Sequence, residues 1–276
     1  MSMARTASCA PVRVGAPGWL TLHAASLWPH GLWTVHRLTD GSDDPLGLAA
    51  LATLGLWLWL ARGTLRALPR LPWLGAAAVL TAAATAALFA APPLMAAGLG
   101  MLALAAHLAA WLPDRSPRLA LAGLLLLTLP LLASMQFYVG YPLRVFTAQF
   151  SAWLLQAAGL AAERSGASMV VSGQLVIVDA PCSGVQMAWL AYYAACTVAA
   201  FASRPDRALA RRLPLVGLTV LAGNVVRNTL LVALEARPEG LSPAWHEAIG
   251  LGMVLVVVVL VVCIVVPHKS RAGAGA

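Results

Sequence analysis

Residues 248–266 read AIGLGMVLVVVVLVVCIVV. No charged side chain interrupts them, and a helix that crosses the hydrocarbon core of a bilayer needs about 20 such residues. The rest of the chain repeats the theme. Leu-, Ala- and Val-rich runs recur at 19–38, 45–61, 73–91, 94–112, 119–138, 184–202 and 213–234. The first is the weakest, because it carries His23, His30, His36 and Arg37. Hydrophobic residues make up 61% of the 276 residues and charged residues only 10%. A soluble domain carries about 25% charged residues and could not cover its surface with so few. The expected fold is therefore an all-α integral membrane bundle of about eight transmembrane helices.

The charges give the expected topology. The net charge is +8, which in a soluble protein would suggest nucleic acid. Here the basic residues fall between apolar runs. With eight spans and both termini in the cytoplasm, segments 1–18, 62–72, 113–118, 203–212 and 267–276 hold 13 of the 18 Lys and Arg residues. The opposite segments hold Arg144, Arg164 and Arg237, together with Asp40, Asp43, Asp44, Glu163, Asp179, Glu235 and Glu239. That asymmetry follows the positive-inside rule. No cleavable signal peptide is expected at the polar start of the chain. The four cysteines, Cys9, Cys182, Cys196 and Cys263, form no CxxC pair and no Cys/His grouping with metal spacing, so neither a disulfide framework nor a metal site is expected.

Segment 139–183 is too long for a turn between spans. Residues 144–162 read as a helix that lies in the membrane interface or packs against the bundle. The β-branched stretch from Ser168 to Asp179, broken at Ser172-Gly173-Gln174, reads as a small extracytoplasmic hairpin. It leads into Pro181-Cys182-Ser183-Gly184-Val185-Gln186. Ser183 and Gln186 stand at capping-box spacing, so a helix is expected to begin here. A cysteine at a helix N-terminus meets free N–H groups and the positive end of the dipole, which favour its thiolate. The plainer alternative is a buried cysteine at a helix start. Cys196 and Cys263 lie inside apolar helices and read as small core residues.

Two further groups stand out. Asn224-Val-Val-Arg227-Asn228 lies within the run 213–234, and helical spacing puts Asn224, Arg227 and Asn228 on one face. An arginine at this depth costs roughly 3 kcal/mol to insert and marks either a functional cavity or a structural pair. Asp179 and Glu235 are the candidate partners for such a pair. His246, beside Trp245 and Glu247, begins the last helix. It is either a proton carrier near neutral pH or an ordinary interface residue. By the charge-based topology, thiol, guanidinium and imidazole all fall near the outer ends of successive helices. Together they suit acyl transfer: a thiolate nucleophile, a cation for the oxyanion and an acid/base.

Cys182-Ser183-Gly184, Asn224-Val-Val-Arg227 and His246, in that order in a multi-spanning chain, resemble the exosortase/archaeosortase family, as does the stretch from Tyr141-Pro142-Leu143-Arg144 onward. The resemblance covers about residues 130–266. It implies a single polytopic membrane domain over 1–276, with N-terminal spans in 1–129 and a catalytic core in 130–266. It implies Cys182 as nucleophile, Arg227 as oxyanion stabiliser and His246 as acid/base. Ser183, Gly184, Asn224, Asn228 and Asp179 would bind substrate or support these three. No cofactor is implied. The implied partners are membrane lipids and exported proteins with a C-terminal sorting signal: a Pro-Glu-Pro-like motif, a transmembrane helix and a basic tail. No nucleic acid is implied. The implied location is the bacterial inner membrane, with the site on its extracytoplasmic face, in systems that often accompany exopolysaccharide production. Pro181 departs from the small residue common in the family before the cysteine. A transporter, in which Asn224 and Arg227 line a path, and a non-catalytic component of a surface-assembly system remain alternatives. Neither needs Cys182.

Overall fold

The computed structural model describes residues 15–41, 43–177, 183–236 and 240–266. All eight apolar runs are largely helical. Helices α1 (Ala16–Ser26) and α2 (Trp28–Thr39) occupy the first run, broken at Leu27 just ahead of Pro29. Helices α3 (Gly47–Ala61), α4 (Leu71–Ala90), α5 (Pro93–Trp111) and α6 (Arg118–Leu127) follow. Short α7 (Leu132–Met135) continues through a π-turn over Gln136–Gly140 into α8 (Tyr141–Ala157). After a small sheet come α9 (Val185–Phe201), α10 (Asp206–Ala210), α11 (Leu213–Glu235) and α12 (Pro243–Val265).

Four helical segments are long and apolar enough to cross a membrane: α4, α5, the segment Asp206–Glu235 that ends in α11, and α12. A fifth crossing follows if α6 and Leu132–Ala157 form one span bent by 86°. Helix α9 is shorter, 17 residues, or about 25 Å against a hydrocarbon core of about 30 Å. The chain is thus a multi-pass membrane protein, and its outer face agrees. Phe89 is 88% exposed and Val79 70% exposed on α4, and Leu251, Leu255 and Val259 form an exposed stripe on α12. In lipid such side chains need no protein cover.

The expected span 119–138 is not one straight helix. Pro130 has no N–H to donate and disfavours helical geometry in the residue before it, so α6 stops at Leu127. The helix expected over 144–162 begins earlier and ends earlier, at Tyr141 and Ala157. The π-turn lies directly ahead of Pro142, where a wider turn relieves the clash between a proline ring and the preceding carbonyls.

Strands β1 (Ala162–Ser165), β2 (Ser168–Val171) and β3 (Gln174–Ile177) pair antiparallel in the order β1-β2-β3. The β2–β3 turn is two residues, Ser172 at φ 51° and Gly173 at φ 84°. Two left-handed residues are what a tight hairpin turn demands. Met169 and Val171 point inward and pack with Ala148, Ala152 and Leu155 of α8 and Val232 of α11. Gln156 Nε2 donates to the Ala162 carbonyl at 2.6 Å, and Arg164 Nε donates to Gln149 Oε1 at 2.6 Å. One face of α8 thus holds the sheet while another faces α11.

Small residues let α6, α9, α11 and α12 approach closely, the usual packing device in lipid. Gly223 of α11 abuts Val257 of α12, Gly217 lies against the Tyr192 hydroxyl of α9, and Gly123 of α6 sits on Cys196. Cys196 is a buried core residue as expected, whereas Cys263 is exposed on the outer face of α12. The basic segment 203–212 has a local role as well: Arg204 Nε donates to the Val265 carbonyl at 2.8 Å and Arg212 Nη1 at 3.1 Å. Cations there satisfy the free carbonyls and negative dipole end of α12. In the N-terminal half, His23 is hydrogen-bonded to His107 at 2.7 Å and to Thr81 at 2.9 Å, and His30 packs on Gly100. These histidines tie α1 and α2 to α4 and α5.

Candidate functional site

Ser183 opens the described part of the site. It is buried, donates from Oγ to Gln136 Oε1 at 2.8 Å and accepts from the Val185 N–H at 3.3 Å. Gly184, not Ser183, is the N-cap of α9, at φ 85° and ψ 0°. The expected capping box does not form: Ser183 Oγ accepts the N–H of Val185 rather than that of Gln186, and the Gln186 side chain is exposed. The left-handed turn at Gly184 redirects the chain, and the Ser183 hydroxyl is turned toward the α7–α8 segment instead. Cys182 and Asp179 lie outside the described residues.

Glycine at 184 is required twice over. Its φ suits glycine best, and a Cβ there would lie 2.9 Å from Asn224 Cγ. That contact seats the start of α9 directly on α11. Asn224 is buried and donates from Nδ2 to Thr147 Oγ1 at 3.0 Å. One turn on, Asn228 Nδ2 donates to Ser151 Oγ at 3.0 Å, and Ser151 Oγ donates to the Val225 carbonyl at 3.3 Å. Two residues four apart on α8 therefore meet two residues four apart on α11. Buried amides and hydroxyls must find partners where water is scarce, and each of these pairs satisfies two at once. Thr147 and Ser151 were not singled out in the sequence. The available signal was their helical spacing from Arg144, which places all three on one face.

Arg227, between the two asparagines, is half-buried and reaches α12. A Cβ at Gly250 would lie 3.1 Å from its Nη2 and 3.4 Å from its Nε. The Nε–Nη2 edge of the guanidinium thus lies against a glycine that leaves room for it. Gly250 is four residues after His246, one turn along α12, so Arg227 sits on the helix that carries the imidazole. His246 is exposed in the first turn of that helix. Ser242 caps it, accepting the Trp245 N–H at 3.5 Å. His246 and Asn228 line a common cavity of about 590 Å³, together with Leu175 and Val176 of β3, Glu235 of α11 and Glu247 of α12. Ser183, Gly184 and Asn224 border a smaller one of about 170 Å³ on the other side of the asparagine ladder. Among the described residues no group of His, Cys, Asp and Glu could hold a metal ion.

The site is thus a convergence of the start of α9, the middle of α11 and the first turns of α12, braced by α8 and roofed in part by β3. A guanidinium and an imidazole lie on the adjoining helices α11 and α12, beside an open cavity that His246 and Asn228 line. No curated protein and no solved structure matches the chain. Residues 36–263, nearly the whole of the described bundle, match the model of the transmembrane exosortases, and the chain belongs to that family.

Proposed function

We propose that this protein is a membrane-embedded cysteine transpeptidase that cuts a C-terminal sorting signal from exported proteins. The Cys182 thiolate attacks the scissile carbonyl carbon, and Arg227 holds the negative charge that develops on its oxygen. The amide C–N bond breaks as His246 gives its proton to the leaving amine. The substrate remains as a thioester on Cys182. An incoming amine then attacks, passes its proton to His246, and the thiolate leaves. If no acceptor enters, water completes a hydrolysis.

What supports this reading beyond family membership is the seating of Arg227 on Gly250, one turn from His246, together with a helix start at Gly184 that abuts Asn224. Ser183-Gly184, Asn224 with Arg227, and the helix that carries His246 thereby stand side by side. The open cavity beside His246, lined by β3 as well as helices, suits an extended peptide segment. With the eight apolar runs as spans and both termini in the cytoplasm, this region faces outward, where exported substrates arrive.

The test is processing of an exported reporter with a Pro-Glu-Pro motif, transmembrane helix and basic tail, coexpressed with wild type or Cys182→Ala and followed by gel shift and mass spectrometry. Loss of processing at equal membrane levels, with a thioester trapped by the wild type, is the expected result. Unchanged processing without the thiol would put the transporter and assembly-component readings in its place.

A further inference from the structure

Arg144 is the anomaly of the α8–α11 interface. Helical spacing puts it on the same face of α8 as Thr147 and Ser151, the residues that hold Asn224 and Asn228. It is half-buried, and its Nε is buried without a hydrogen-bond partner. Among the described residues no carboxylate pairs with it, and the Tyr141 ring lies 5.9 Å from the guanidinium carbon. A buried Nε–H that finds no acceptor is costly, and a ligand that brings one would answer it.

Its position says what that is for. One turn on, Thr147 holds Asn224, which abuts Gly184; two turns back, Gln136 holds Ser183. Arg144 therefore stands between the two contacts that bind the residues immediately after Cys182. We infer that Arg144 is a substrate-binding residue that takes a carboxylate on the peptide segment ahead of the scissile bond. A guanidinium meets a carboxylate through paired, charge-assisted hydrogen bonds, and the Nε edge is one of the two edges that can do so. Arg227 is turned toward Gly250 of α12; Arg144 lies on the opposite flank of the asparagine ladder, so the two cations serve different groups. This assignment rests on the transpeptidase reading for the name of the substrate, but its test does not depend on turnover.

The full chain in lipid nanodiscs is titrated with two synthetic probes, each a transmembrane helix with a basic tail, preceded by Pro-Glu-Pro in one and Pro-Gln-Pro in the other. Photo-crosslinking reads binding. The wild type is expected to prefer the Glu probe by about tenfold or more, as for a buried charge pair that loses one partner. Arg144→Gln brings the Glu probe down to the level of the Gln probe and leaves the latter unchanged. Arg144→Lys retains part of the preference and covers the case in which the Gln variant does not fold. Equal binding of the two probes by the wild type, no binding of either, or an equal loss for both on substitution overturns the inference, the last pointing to a purely structural arginine. A Glu preference that depends on Arg144, without Cys182-dependent processing, leaves Arg144 assigned and removes the transpeptidase chemistry instead.

Discussion

The two halves of the bundle use polar groups in opposite ways. In α1–α5 the hydrogen bonds of His23 to His107 and Thr81 join helices beside an open, largely apolar groove of about 890 Å³. In α8–α12 a ladder of amides and hydroxyls runs along α11, with Arg227 between its rungs. Polar groups in a membrane interior are expensive. A half that needed only to anchor the chain would do as α4 and α5 do, packing Ala84, Ala96 and Ala103 in dry contact. The second half is built round groups that stabilise poorly and that, under the proposed function, would meet a reacting peptide.

The comparison breaks most readily at the guanidinium. Arg227→Ala is expected to slow processing by about 10²–10³-fold, the usual effect of removing an oxyanion donor; Cys182→Ala abolishes it and Cys196→Ala leaves it intact. Reporter cleavage at matched membrane levels measures all three, and residual processing near wild type in Arg227→Ala would reduce that arginine to a bundle brace. Next comes the glycine beneath it. Gly250→Leu would push the guanidinium off its seat and lower processing by roughly tenfold to a hundredfold, since a misplacement of about 1 Å can do as much. Gly98 on α5 has open space where its Cβ would stand, so Gly98→Leu in the same assay should change nothing.

Smaller effects sharpen the contrast. Thr147→Ala and Asn224→Ala, combined in a double-mutant cycle of unfolding in detergent, should show a coupling of about 0.6 kcal/mol, the average for hydrogen bonds between membrane helices, and no more than about 1.7 kcal/mol. Strict additivity would mean that the rung contributes nothing. His23→Leu removes a polar tie of the first half. Its expected effect on processing is nil, although melting shifts; a loss of processing at matched levels would show that the N-terminal helices reach the chemistry after all.

Much of this was legible in the chain. The apolar runs located α4, α5, α11 and α12, the helices long enough to cross a membrane, because burial in lipid leaves a one-dimensional record: about 20 apolar residues bounded by charge. Asn224, Arg227 and Asn228 could be put on one face from spacing alone, since the helical period fixes it. The hydropathy of 119–138, by contrast, hides the break that Pro130 and Pro142 impose on the path through α6, α7 and α8. The capping box at Ser183 also failed. A spacing rule says which bond is geometrically open, while the Gln136 side chain, 47 residues away, competed for the same hydroxyl.

The sequence by itself thus determined what is written locally: a multi-pass membrane chain, its helices, and the short motifs that carry its family membership. Tertiary structure alone decided which helices meet. That Gly184 lies on Asn224, that Arg227 rests on Gly250 and that Thr147 and Ser151 brace the asparagines depends on close approach between segments far apart in the chain. Such approach is set by the fit of small residues across an interface, and neither the hydropathy nor the period of either helix records what stands opposite.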